Sequence, residues 1–341
     1  MTSRMLAAVS LFLAAAPLAA QQAPSRIRVT PQGDSVLIVR LGPVRLPAHA
    51  EHHDVSQLAL QTWRMPATGW LRGYKVDMVD AQGNVLPSVL IHHAEMVDLD
   101  RRDLLRPALN RVVSAGKETS ALLLPPGMGY PVTANQQLGI NAMLANPTDQ
   151  AYNAAYVRAT ITLIPGGTAN VKNVMSFYAE TSFDSTGASD FDLPAGQSMK
   201  VVQFQVPVAG QVLAVGGHIH DYGTRMVVVR AGTNDTIYNA APRTDSSGAV
   251  TGMPTAPMFG RTVRTAPGDW FVMTVSYDNT SGQMLEGAGM GTFGVVFAPD
   301  DISQWPELDR NDPRVRHDLA DLRSPHQKAM RQGMQMGGHH H

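Results

Sequence analysis

Tyr156-Val157-Arg158-Ala159-Thr160-Ile161-Thr162-Leu163-Ile164 alternates apolar and polar side chains, then stops at Pro165-Gly166-Gly167. A period of two built from β-branched residues marks a half-buried strand, and Pro-Gly-Gly ends it in a turn. The pattern recurs on both sides, in residues 35–39, 71–79, 88–96, 201–206 and 271–277. Between these lie turn clusters: Ala81-Gln82-Gly83-Asn84, Pro147-Thr148-Asp149, Asp245-Ser246-Ser247-Gly248 and Asp278-Asn279-Thr280-Ser281-Gly282. Short strands so punctuated predict an all-β sandwich or jelly-roll architecture. The length suits two domains of about 140 residues each. The break is expected between Pro165 and Met175, giving domains at 24–167 and 168–300. Residues 98–109 read as a short helical turn with a solvated charged face, and no internal repeat is evident. Residues 301–341 lose hydrophobic density and end Met334-Gln335-Met336-Gly337-Gly338-His339-His340-His341, which reads as a flexible Met/His-ending tail, disordered or loosely docked.

The 341 residues carry 27 Lys+Arg against 28 Asp+Glu, a net charge of −1. That balance removes the electrostatic case for nucleic acid or an anionic membrane surface as the main partner. Cysteine is absent, which excludes disulfides, thiolate metal sites and a Cys nucleophile, while 18 Met and 12 His are present. Residues 1–20 read as a signal peptide. Arg4 supplies the positive start, residues 6–16 an apolar run too short to span a bilayer, and Leu18-Ala19-Ala20 the small residues before a cut at Gln21. The mature chain is therefore expected to be secreted or periplasmic, without stable membrane insertion.

The chemistry concentrates in two places. Gly216-Gly217-His218-Ile219-His220-Asp221-Tyr222-Gly223 follows the apolar run 212–215. Residues i and i+2 of a strand share a face, so His218 and His220 can offer two imidazoles to one metal. Leu90-Ile91-His92-His93-Ala94-Glu95-Met96 is geometrically harder. Adjacent strand residues point opposite ways, so His92 and His93 meet one ion only at a bulge or strand end. A half-buried strand with one His turned to solvent is the simpler reading of that segment alone. A Ser nucleophile motif, a P-loop and a dinucleotide-binding fingerprint are absent. Met290 enters the apolar run 292–297, and thioether plus imidazole favours copper over zinc. The remaining Met residues read as core. His49, His52 and His53 read as a solvated loop rather than an extra metal site.

Together these motifs resemble the copper type II, ascorbate-dependent monooxygenase family, which includes peptidylglycine α-hydroxylating monooxygenase and dopamine β-monooxygenase. The adjacent His pair resembles Ile91-His92-His93, and the family's Pro-Pro-x-x-Gly-x-Pro stretch resembles Pro125-Pro126-Gly127-Met128-Gly129-Tyr130-Pro131. Its His-x-His dyad resembles His218-Ile219-His220, and its late methionine resembles Met290, with Met284 the alternative. The order agrees over roughly residues 40–298. The resemblance implies two tandem jelly-roll-like β domains with one copper each. It implies catalysis at His218, His220 and Met290, and electron storage at His92, His93 and a third ligand. The family's third His falls here on Met143, anchored on Asn146-Pro147, with Asn141 the runner-up. Asp221 and Tyr222 stand beside the dyad as candidates for supporting it or lining a substrate pocket. The implied reaction is hydroxylation of a C–H bond of a small-molecule or peptide substrate by O2, with ascorbate or another one-electron reductant. The alternative is a copper-binding protein for storage, delivery or electron transfer.

Overall fold

A computed structural model describes residues 26–324 apart from 52–53, 56, 117–120, 182–189, 234, 247 and 259–261. Residues 1–20, expected to be a signal peptide, His52, His53 and the terminal Met/His residues thus lie outside the described residues. The chain is all-β. Its first strands are β1 (Arg26–Gln32), β2 (Val36–Leu46), β3 (Leu58–Arg64), β4 (Gly69–Val79), β5 (Ile91–Arg102) and β6 (Leu109–Gly116). There follow β7 (Ala121–Leu123), β8 (Met128–Val132), β9 (Gln137–Leu144), β10 (Tyr152–Pro165) and β11 (Lys172–Asn173). Among the described residues these pair only with one another, as β1-β2-β10-β4-β8-β11 with β7 on β4, and as β3-β9-β5-β6. Leu37, Val39, Val157 and Ile161 of the larger sheet bury against Ala94, Met96, Ile140 and Ala142 of the smaller, forming a sandwich.

The second set begins with β12 (Met175–Glu180), β13 (Asp190–Leu193), β14 (Gly196–Val206), β15 (Gly210–Ile219), β16 (Gly223–Arg230) and β17 (Thr236–Ala240). The short β18 (Arg243–Thr244), β19 (Val250–Gly252), β20 (Thr255–Pro257) and β21 (Val263–Thr265) lead to β22 (Asp269–Asn279) and β23 (Leu285–Pro299). One sheet runs β12-β23-β15-β20, with β13 on β23 and β21 on β15, and the other β14-β22-β16-β17. Phe177, Phe293 and Phe297 of one face Phe204, Met273 and Val275 of the other.

The halves repeat one plan. The order β3-β9-β5-β6 corresponds to β14-β22-β16-β17, and β2-β10-β4 to β13-β23-β15. A turn confirms the correspondence. Asn146 donates from Nδ2 to the carbonyls of Leu46, Pro47 and Gln150 at 3.3, 2.7 and 2.8 Å. Asn279 donates to those of Leu193, Pro194 and Gln283 at 3.2, 3.1 and 2.8 Å. Leu-Pro-Ala (46–48 and 193–195) and Asn-x-Thr/Ser-x-Gln (146–150 and 279–283) are therefore an internal repeat, too short and dispersed to stand out along the sequence.

Two sequence expectations are corrected. Residues 98–109 are not helical: β5 runs on to Arg102, and the Asp103 carboxylate then accepts the backbone N–H groups of Leu105 and Arg106, making an Asx-type turn. Nor is the whole segment after 301 flexible. Helix α1 (Pro313–Arg323) starts on an Asp312 cap with Pro313 behind it. Val315 and Leu322, with Leu319, pack on Leu60, Val97, Leu99 and Leu109. Their 4- and 3-residue spacing is an amphipathic signal diluted by the surrounding charges. Asp318 pairs with Arg111 through two 2.6 Å bonds, so the chain's last described residues return from the second half onto the first.

Candidate metal centres

The second set of donors stands on the outer face of the β12-β23-β15 sheet. His218 opposes Thr292 on β23, and Thr292 opposes Glu180 on β12. One rung on, the His220 N–H donates to the Met290 carbonyl at 3.2 Å, and Met290 opposes Asp190 on β13. Directly opposed residues of an antiparallel ladder share a face. His218, His220, Met290, Thr292, Glu180 and Asp190 therefore all project outward, while Ile219, Gly291 and Phe293 point to the core. The His218 and His220 rings lie 5.2 Å apart, nearly perpendicular. Met284, by contrast, is 55% exposed in the preceding turn and is not beside them.

His220 is prepared as a donor. Burial, then the neighbouring His218 ring, push its pKa down to about 4. It is neutral near pH 7, and one ring nitrogen donates to the Ala288 carbonyl. The tautomer is thereby fixed and the other nitrogen keeps its lone pair. Beside this rung lie Gly216 and Gly294, paired with each other. A Cβ on Gly294 would sit 3.2 Å from the Tyr178 ring, and one on Gly216 3.1 Å from the Thr255 methyl. The missing side chains let the Tyr178 ring and the Thr255 methyl pack close to the backbone next to the donors.

The first set stands on the outer face of the β3-β9-β5-β6 sheet. His93 opposes Met143, and Glu95 opposes Asn141. Between the Ile91–Leu144 and His93–Met143 pairs the register shifts. That irregularity leaves His92 as the extra residue and brings its ring to 5.3 Å from His93, which is the bulge an adjacent His pair requires. Met143 is 3% exposed and Asn141 5%. The Asn141 Oδ1 is buried and accepts no hydrogen bond among the described residues, an arrangement that is costly without a further partner.

The residues flanking the dyad have structural tasks. Asp221 Oδ1 accepts the Val250 N–H at 2.7 Å. Tyr222 takes a left-handed φ of 65° at the turn into β16. His49 is an exposed turn residue 3.0 Å from Asp149. Sequence reasoning missed Asp190, Thr292, Glu180 and Glu95, because only strand pairing brings them beside the donors.

Both sets border the contact between the halves. Arg106 grips Glu180 with bonds of 2.5 and 2.7 Å, on the His218 rung. Asp103 accepts the Tyr178 N–H at 3.3 Å. Across the junction Asn110 Nδ2 donates to the Ser176 carbonyl at 2.9 Å, and the Ser176 hydroxyl donates to the Arg111 carbonyl at 2.6 Å. The Tyr178 hydroxyl is within electrostatic reach of Glu95, one rung from His93.

Among the described residues, no group of three or more His, Asp or Glu side chains can hold a metal by itself, so each candidate set depends on its thioether. No helix there is long and apolar enough to cross a membrane. No family model and no curated protein matches the chain. Among solved structures it is similar to the major capsid protein P2 of bacteriophage PM2, at 12% identity over 77% of this chain and 98% of that one, TM-score 0.37. It is also similar to a chain of Sulfolobus turreted icosahedral virus, at 10% identity over 92% and 99%, TM-score 0.38. The fold assignment rests on the sheets themselves.

Proposed function

We propose that the chain is a secreted or periplasmic copper protein, and that it acts as a copper monooxygenase. The observation that carries this reading is the pairing of each His pair with a methionine directly across the ladder on the same sheet face: His220 with Met290, and His93 with Met143. Two imidazoles and a thioether suit copper in both oxidation states better than they suit zinc or a hard cation. The buried, unsatisfied Asn141 oxygen supports an additional occupant near the first set.

Bound copper would supply one-electron chemistry with O2, which no side chain here provides. The chain's own residues would do the rest. His218 and His220 would hold the ion beside the Gly216–Gly294 pair. The Ala288 carbonyl keeps His220 in one tautomer. Met290 is held in line because its carbonyl also accepts the Tyr277 hydroxyl at 2.7 Å. His92, His93 and Met143 hold the second ion, across the Glu95–Tyr178 junction. The Met143 thioether favours the reduced state, and this favours a second reading, a copper carrier or electron-transfer protein. The reductant is ascorbate or a similar one-electron donor, and the substrate a small molecule or peptide.

Oxygen uptake by the copper-loaded chain with ascorbate, across a broad panel of C–H substrates, separates the readings. Uptake coupled to product and lost in His218→Ala supports the oxygenase. Copper bound without coupled uptake supports the carrier.

A further inference from the structure

We infer that Asp190 is a positioning residue that sets the charge of the His218–His220–Met290 site and biases it toward the cupric ion. The inference rests on the copper reading of that site. Asp190 opens β13 and stands opposite Met290 on one side of β23, as His220 does on the other. One rung therefore runs His220–Met290–Asp190 along the outer face. The register of this short edge strand is fixed by its next residue. Phe191 turns inward over Gly289, where a Cβ would lie 2.5 Å from the ring. It meets Tyr277 edge-on, with centroids 5.6 Å apart. Tyr277 in turn holds the Met290 carbonyl, so one aromatic pair anchors both the methionine strand and the aspartate strand.

Two carboxylates flank the donors, Asp221 next to His220 in the chain and Asp190 opposite Met290 across the ladder. They differ in what else they do. Asp221 holds the Val250 N–H, whereas among the described residues the Asp190 carboxylate forms no ion pair or hydrogen bond. Because among the described residues no three His, Asp or Glu groups converge closely enough to bind an ion unaided, Asp190 acts through space rather than as a ligand. A fixed negative charge stabilises a doubly charged ion about twice as strongly as a singly charged one. The thioether on the same rung pulls toward the cuprous state. Met290 and Asp190 thus oppose each other, which keeps both oxidation states accessible.

The test uses the full chain carrying His93→Ala, so that only the second site is read. Cuprous and cupric affinities are measured by separate competition titrations, and the reduction potential directly. Asp190→Asn, which keeps the side chain's size, is expected to weaken cupric binding three- to tenfold and cuprous binding by about the square root of that, roughly two- to threefold. By 59 mV per tenfold change in the cupric-to-cuprous affinity ratio for one electron, the potential rises by about 14–30 mV. Asp190→Glu is expected to restore it. An unchanged potential, or equal loss in both oxidation states, overturns the inference. If His218→Ala removes no copper, the reading of the site fails and the inference with it. If that copper is lost but Asp190→Asn shifts nothing, only the inference fails.

Discussion

The two halves share a fold but not a site. Each has the same four-stranded sheet order and the same Asn-centred turn clasping a Leu-Pro pair. Yet the first donor set stands on β5 and β9 of the smaller sheet, and the second on β15 and β23 of the larger. The counterpart of β5 is β16, and that of β15 is β4, and neither counterpart contains a histidine. A repeated scaffold has therefore received candidate chemistry at two unrelated places, as expected when function is grafted onto a fold. The geometry differs accordingly. The His-x-His pair needs only a regular strand, whereas the His-His pair needs a register shift.

That contrast can be broken from the strongest effect downward. His220→Ala is expected to lower second-site copper affinity at least about a hundredfold while leaving the first site filled, read by competition titration, because loss of one of two imidazoles outweighs any supporting residue. If both sites empty together, they are not independent. Arg106→Ala leaves the Glu180 carboxylate buried without its partner, and is expected to cost about 3 kcal/mol in denaturant unfolding. A loss below about 1 kcal/mol would mean that this pair does not hold the halves together.

Much of this was legible in the sequence, for physical reasons. Alternation in 156–164 and 271–277 reports a period of two directly, so the strands and their turns could be placed. The face shared by His218 and His220 follows from the same period. The bulge at His92 could only be stated as a condition, because register depends on the partner strand β9, more than 40 residues away. Asp190 and Glu180 were invisible for the same reason. Helix α1 was missed because its apolar positions are few and its stability comes from the sheet it lands on. The repeat was missed because its few fixed residues are separated by about a hundred variable ones.

Smaller effects sharpen the comparison. Burial pushes Asp103, at the junction, up to about 6 from 3.8. The folded state then holds that proton more firmly than the unfolded chain, so this group's contribution to stability falls as pH rises from about 4 to about 6. The change is at most about 3 kcal/mol. Asp103→Asn is expected to flatten unfolding free energy over that window. An unchanged pH profile would remove Asp103 as its source. At the first site, Met143→His is expected to keep or tighten copper and to lower its potential. Met143→Ala is expected to weaken cuprous binding about tenfold, and no change in copper count or potential would remove Met143 from the site.

The most direct test is the copper content of the reconstituted, desalted chain. Two coppers per chain are predicted, with one lost in His93→Ala, the other in His218→Ala, and both in the double variant. A chain that retains no copper, or retained copper indifferent to both substitutions, contradicts the account.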